Sequence, residues 1–227
     1  MIRSSATITF IFITLLSVNL HASEPESELS GFETWEPAYS IPYVAPQSGQ
    51  ATITLYTPPT EADFTILGES KVDLRNICNF IWQYNPDFEK EIAEAYLIHS
   101  QAYGIRGDVA ICQAIIETGW FKFADGTAVT IDQHNYCGLG VTKRGVKGAA
   151  FETITDGVRA HLQHLFAYAS TKPLPPKEPL LDPRFSLVMR GVARTWHDLS
   201  NRWAMNPNYG KQISDLYNRL VLFSTTQ

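Results

Sequence analysis

The chain is poor in charge and in cysteine. Of its 227 residues 18% are charged, and 18 Lys plus Arg against 23 Asp plus Glu give a formal net charge of −5. A net acidic chain lacks the basic footprint of tight, non-specific nucleic-acid binding, so no nucleic-acid partner is expected. Its three cysteines, Cys78, Cys112 and Cys137, form no Cys-x-x-Cys pair. That excludes a four-thiolate zinc site and a disulfide-rich scaffold. No internal repeat is present, and no apolar run reaches the roughly 20 residues that a spanning helix needs. Low charge does not mean disorder here, because 12% of the residues are aromatic and 44% hydrophobic. That is enough for a packed core.

What is present begins with an export signal. Arg3 is the only charge before Glu24, and the apolar run 8–16 follows it. Ser17, Asn19 and His21 dilute that run, and Ala22 and Ser23 supply small residues before the polar stretch 24–28. Positive start, short apolar core and small-residue cleavage site are the layout of a secretory signal over residues 1–23. An uncleaved anchor is the competing reading, disfavoured by the short run. The segment carries one Arg and no acid, so its removal takes the charge from −5 to about −6. Export to the periplasm or the extracellular side is expected, with no stable membrane insertion after cleavage. An oxidising compartment then allows at most one disulfide among three cysteines, and the pair stays open. Cys112 reads as a small buried hydrophobe.

Residues 24–65 are rich in Pro, Ser, Thr and Glu and read as an extended leader or linker, with one alternating run, 51–56, as an isolated strand. From Ile66 the pattern is helical. Asn85-Pro86-Asp87 predicts a helix start, followed by apolar positions at helical spacing up to Gly104. A second helix runs from about Asp108 to Gly119 and is apolar nearly all round, so it should be central and buried. Residues 120–155 lack helical periodicity, carry several glycines and read as loops with a small β-hairpin. Thr155-Asp156-Gly157 opens a third helix. Short helices are expected near 185–193 and 196–203, and Asn206-Pro207 caps the last. The sum is a mainly α domain over 66–224 with a small β lobe after the central helix.

Glu117 is the residue this pattern leaves to explain. A carboxylate ending an apolar helix is paired, exposed in a cleft, or raised in pKa, and the negative end of the helix dipole adds to the rise. A protonated carboxyl near neutral pH is what a general acid needs to protonate a glycosidic oxygen. Gln113 lies one turn earlier on the same face and is placed to line the same cleft. An ordinary last-turn Glu in water is the alternative.

Glu117-Thr118-Gly119-Trp120 resembles the Glu-Ser/Thr-Gly-Trp signature of the bacterial peptidoglycan glucosaminidases, the endo-β-N-acetylglucosaminidase domain of autolysins and flagellar wall hydrolases (glycoside hydrolase family seventy-three). Further segments resemble that family in order. Asn135-Tyr136-Cys137-Gly138-Leu139-Gly140 is similar to the turn of its β lobe, and Gly157-Val158-Arg159-Ala160-His161-Leu162 to the next helix. Trp203-Ala204-Met205-Asn206-Pro207-Asn208-Tyr209-Gly210 is similar to its closing element. Asp182-Pro183-Arg184-Phe185 also matches. The resemblance covers about 66–222. It implies a lysozyme-like α fold, peptidoglycan glycan strands as partner, a monomer, no cofactor, and hydrolysis of the β-1,4 bond after N-acetylglucosamine. Glu117 then matches the general acid and Tyr209 a cleft tyrosine, with a core aromatic as the alternative for Tyr209. Asn135, Tyr136 and Gly138 match the turn that walls the cleft. Trp120 is placed to stack on a sugar or to sit in the core.

A glycosidase of this kind usually has a second acid. Glu152, in the expected β lobe, is the candidate. Asp156, Asp132 and Asp125 compete, and a substrate 2-acetamido group can replace them all. His161 and His164 are three apart on one helix, close to ligand spacing, but nothing nearby completes a metal site, so no metal is expected. A thiol nucleophile is a minor option. A muramidase or lytic transglycosylase on the same fold, and a non-catalytic glycan-binding module, are the competing functions. With an acidic mature chain, wall binding should rest on the cleft rather than on charge steering.

Overall fold

The computed structural model describes residues 59–60, 64–124, 127–142 and 146–226. The expected export signal and the whole leader except residues 59, 60, 64 and 65 lie outside them, the run 51–56 included. The described chain is mainly helical: α1 (Leu74–Trp82), α2 (Lys90–Tyr103), α3 (Gly107–Thr118), α4 (Ile154–Ala169) and α5 (Tyr209–Ser224). Short 3-10 turns occupy Ile131–Gln133, Phe185–Leu187 and His197–Leu199. No described helix is long and apolar enough to cross a membrane.

α3 is the axis. Residues 109–115 are all at most 2% exposed, which is why the sequence there is apolar on every face. α2 and α5 pack against α3, α4 packs against α2, and α1 packs against α5 and α2. The start of α3 is pinned by a buried ion pair. The Asp108 carboxylate takes two bonds from Arg106, each 2.9 Å, and one from Tyr217 OH at 3.1 Å. It also accepts the Lys71 and Val72 backbone N–H groups at 2.8 and 3.3 Å. One carboxylate thus ties the segment before α1, the start of α3 and the middle of α5 together.

Several local expectations are corrected. α2 begins at Lys90, not at Asn85. The Asn85 side chain instead closes a turn, accepting from Asp87 N at 3.2 Å and donating to Trp120 O at 3.0 Å. α1 follows a cap the sequence reading passed over, with Asp73 accepting from Asn76 N at 2.9 Å. α4 starts at Ile154 because Thr153 caps it. The short helices expected near 185–193 and 196–203 shrink to the two later 3-10 turns. Phe64 and Thr65 join the packed body: Phe64 is buried, and Trp196 N donates to Phe64 O at 2.9 Å and Trp196 Nε1 to Thr65 O at 3.1 Å.

The β-hairpin expected within 120–155 is absent among the described residues, where pairing is limited to isolated bridges elsewhere. Side-chain amides take the place of a strand ladder. Asn135 Nδ2 donates to Leu139 O and Ala149 O, both at 2.9 Å, and Asn135 Oδ1 accepts from Leu139 N at 2.9 Å. Gln133 Nε2 donates to Gly148 O at 3.2 Å and Ala149 O at 3.3 Å. Two backbone bonds, Ala149 N to Leu139 O at 2.7 Å and Phe151 N to Gln133 O at 2.9 Å, join the same two sides, so the loop is closed by isolated backbone bonds braced by two side-chain amides.

Candidate active site

The exit from α3 explains the Glu-Thr-Gly-Trp sequence. Thr118 Oγ1 donates back to Ala114 O at 2.7 Å and accepts from Phe121 N at 2.9 Å. Gly119 ends the helix at φ 57°, and Trp120 and Phe121 continue with φ 62° and 57°. Left-handed non-glycine residues are costly and persist only where surroundings fix them. Here Trp120 N reaches Ile115 O at 2.8 Å, and the Trp120 ring stacks on Tyr84 at 3.7 Å between centroids. The turn leaves Glu117 at the helix end with Thr118 fully buried beside it.

Glu117 is half-buried. Its Oε1 accepts a short hydrogen bond from Tyr209 OH, the first residue of α5. The Trp203 side chain lies close enough to the same carboxyl to lower its pKa. Its Oε2 faces Gly138, at φ 65° in the opposing turn. Burial pushes the Glu117 carboxyl from 4.5 to about 7, against the lowering effect of the Tyr209 and Trp203 side chains. A protonated acid at neutral pH is available. Burial and the nearby Glu117 charge hold the Tyr209 phenol well above its ordinary range, so it stays a donor.

Gly138 and Trp203 also line a groove of about 600 Å³, with His164, Tyr168, Arg184 and Arg202 on its walls. The groove therefore opens beside the acid. No carboxylate is among its described lining residues. His164 is braced by Asp182, Nδ1 to Oδ2 at 2.8 Å, and packs edge-on against the Trp203 ring at 5.0 Å.

The other sequence candidates divide. Gln113 does not line the groove. It is fully buried behind Tyr209, donating to its OH at 2.8 Å. Trp120, at 7% exposure between Phe80 and Tyr84, is a core residue, which removes it from sugar stacking. Asn135 is fully buried and spent on its turn. Tyr136 is buried against Tyr96, Phe121 and Phe123, and lines a second hollow of about 180 Å³ shared with Asp132. Neither side chain reaches the groove, so both act through the turn that carries Gly138.

Glu152 is exposed just before the cap of α4 and makes no side-chain hydrogen bond among the described residues. Asp156 is engaged by Thr153 Oγ1 at 2.8 Å in the first turn of α4. Asp125 lies outside the described residues. His161 and His164 turn to different partners: both ring nitrogens of His161 are bonded, to Tyr96 OH and to Gln113. The cysteines are free and buried. Burial lifts Cys78 to about 11 and the other two well above their ordinary value, the opposite of an activated thiol.

Trp203 is the site residue that sequence reasoning did not single out, although it opens the closing element quoted above. His161 and Tyr96 were out of reach of any local pattern, since they stand 65 residues apart.

The glucosaminidase family model, described as mannosyl-glycoprotein endo-β-N-acetylglucosaminidase, matches residues 93–222. An "Uncharacterized protein" of Borreliella burgdorferi is 34% identical over 163 residues, covering 70% of this chain and 78% of that relative. No solved structure matches significantly. The matched span runs from α2 through most of α5 and so contains every residue found in contact with Glu117; the chain belongs to the glucosaminidase family and is a glycoside hydrolase of the endo-β-N-acetylglucosaminidase class.

Proposed function

We propose that the protein is an exported peptidoglycan hydrolase that cuts the β-1,4 bond after N-acetylglucosamine, with Glu117 as general acid. The observation that carries this is the Glu117 carboxyl itself. It stands at the end of a buried helix, one oxygen held by Tyr209, the other toward the Gly138 turn at the edge of the groove. A helical body with its acid at the end of a buried helix is lysozyme-like. The amide-braced residues 127–142 and 146–153 serve as the opposite wall, the part a β lobe plays.

In the reaction, Glu117 protonates the glycosidic oxygen as the C1–O bond breaks, and the sugar passes through an oxocarbenium-like state. The carboxylate left behind is met by a donor already in place, Tyr209 OH, with the Trp203 side chain nearby also favouring the ionised form. The second group is Glu152 or the substrate's own 2-acetamido oxygen. Arg184 and Arg202 give the groove a cationic wall in an acidic chain, suited to the carboxylates of peptidoglycan's stem peptides. The protein is expected to act as a monomer outside the cytoplasm, with residues 1–23 as signal and 24–65 as leader.

The test digests peptidoglycan with residues 24–227, wild type and Glu117→Gln, reduces the new ends and weighs the fragments. Reduced N-acetylglucosamine ends from wild type alone support the reading. Reduced muramic ends move the cut to the other bond, as in a muramidase. Anhydro ends mark a lytic transglycosylase. Binding without release from either protein leaves a glycan-binding module.

A further inference from the structure

Behind the acid runs a line of buried polar groups that the proposed chemistry does not by itself require. Tyr96 OH lies 2.6 Å from His161 Nδ1, and His161 Nε2 lies 3.1 Å from Gln113 Oε1. Gln113 Nε2 donates to Tyr209 OH at 2.8 Å, and Tyr209 OH donates to Glu117 Oε1. Tyr96, His161 and Gln113 are fully buried and Tyr209 is 3% exposed, so water does not interrupt the line. It crosses four helices, α2, α4, α3 and α5, before returning to the end of α3.

We propose that His161 is a positioning residue for Glu117: with Tyr96 behind it, it holds Gln113 and Tyr209 in one orientation, so that Tyr209 always donates to Oε1 and the transferable proton is kept on Oε2, on the side of the Gly138 turn. This rests on the reading of Glu117 as general acid.

The argument is one of hydrogen-bond counting. A chain of this kind runs in one of two directions. In the forward direction the Tyr96 hydroxyl donates to Nδ1, which places the imidazole proton on Nε2. That proton goes to Gln113 Oε1, the amide N–H goes to the Tyr209 oxygen, and the Tyr209 proton is left for Glu117. In the reverse direction Gln113 is flipped and takes the Tyr209 proton. Tyr209 then presents only lone pairs to Oε1, and Glu117 must carry its proton on Oε1, on the Tyr209 side. The reverse state cannot accept an ionised Glu117, because two oxygens bearing lone pairs would face each other in a buried site. The forward state fits Glu117 both before and after proton transfer. A catalyst that cycles its acid needs the forward state, and His161 is the group whose tautomer selects it.

Two further features agree. His161 must be neutral for either direction to exist, and burial, reinforced by His164 on the same helix, pushes its pKa down to about 3. The ring is also clamped sideways, edge-on to Tyr96 at 5.6 Å and against Trp203 at 5.5 Å. The groups that face Glu117 from the packed elements are Tyr209 on α5, Trp203 in the segment before it, and the Cys137 thiol in the turn, held protonated by burial. Of these, Tyr209 is the one whose donation depends on His161.

The test compares His161→Leu, Tyr96→Phe and His161→Gln in the mature protein. His161→Gln is the conservative variant, since its amide can accept from Tyr96 and donate to Gln113. Two readouts are taken: the Glu117 titration by carbon-13 NMR without substrate, and kcat and KM on glycan strands across pH. The expected Glu117 midpoint rises by about half a unit or more in His161→Leu, less in Tyr96→Phe, and stays put in His161→Gln. Expected kcat falls about tenfold in His161→Leu with KM nearly constant, and recovers in His161→Gln. An unmoved midpoint in folded Tyr96→Phe and His161→Leu overturns the proposal, even if both are less stable. If wild type cuts no glycan, the acid reading fails, and the NMR titration still decides the hydrogen-bond line.

Discussion

Gly138 stands against Oε2 of Glu117: a Cβ added there would lie 3.7 Å from that oxygen, an ordinary contact rather than a clash. What requires glycine is the backbone, at φ 65°, where an L side chain costs about 1 kcal/mol or more. A Gly138→Ala variant therefore strains the turn and at the same time covers the oxygen proposed to deliver the proton. The expected outcome is a stability loss of about 1–2 kcal/mol with a larger proportional loss of kcat, on the order of tenfold. Denaturant melts and steady-state rates on the same preparation check it.

The raised Glu117 pKa has a stability consequence with a definite sign. The carboxyl binds its proton more tightly in the folded protein, with a pKa of about 7 against the ordinary 4.5. Its contribution is full below pH 4.5 and is lost as pH rises through 7, because there the native state still holds a proton that the unfolded state has released. Between pH 5 and 8 this group lowers wild-type stability by something of order 1–2 kcal/mol, its partial exposure allowed for. Glu117→Gln should remove that fall and be more stable than wild type at pH 8. Parallel urea titrations at pH 5, 6.5 and 8 give the answer, and equal pH slopes in both proteins would refute it.

The same contrast between local and long-range signals decides what could be read from the sequence. α3 was legible because seven consecutive buried positions leave no polar face, and its end because Gly119 follows a carboxylate. The place of Glu117 came with it. Asn85 misled because its turn and a helix cap use the same side-chain chemistry, and the partner that decides, Trp120 O, lies 35 residues on. The hairpin misled because glycine-rich alternation marks a chain reversal without saying whether a full backbone ladder or isolated bonds braced by side-chain amides will close it. The line from Tyr96 to Glu117 could not be read at all. Each of its members looks like an ordinary core residue until helix packing brings them together.

Asp108 offers a test of the scaffold apart from the site. It is fully buried and neutralised by Arg106, itself 2% exposed. Removing one member of such a pair leaves a desolvated charge, and Asp108→Ala should cost about 3–5 kcal/mol. It also frees the Lys71 and Val72 N–H groups that the carboxylate now satisfies. The expected protein melts far below wild type. The fraction still folded at low temperature should keep a wild-type Glu117 titration, since the pair lies at the opposite end of α3.

Trp120 and Trp203 separate packing from chemistry in the sharpest way. Trp120 is stacked on Tyr84 and packed against Phe80 in the core, so Trp120→Ala should cost about 3–5 kcal/mol. Its effect on turnover should follow the loss of folded protein. Trp203 is only partly buried, lines the groove and lowers the Glu117 pKa. Trp203→Phe keeps most of the ring contact with His164 and Tyr168 but deletes the indole N–H. A group that lowers the pKa of the acid raises it when removed. The alkaline limb of kcat/KM should therefore move to higher pH, while kcat falls because the carboxylate left after proton transfer has lost a group that favours it. Melting temperature should change little. A pH–rate profile that keeps its wild-type alkaline limb in Trp203→Phe would show that the indole packs beside the acid without tuning it.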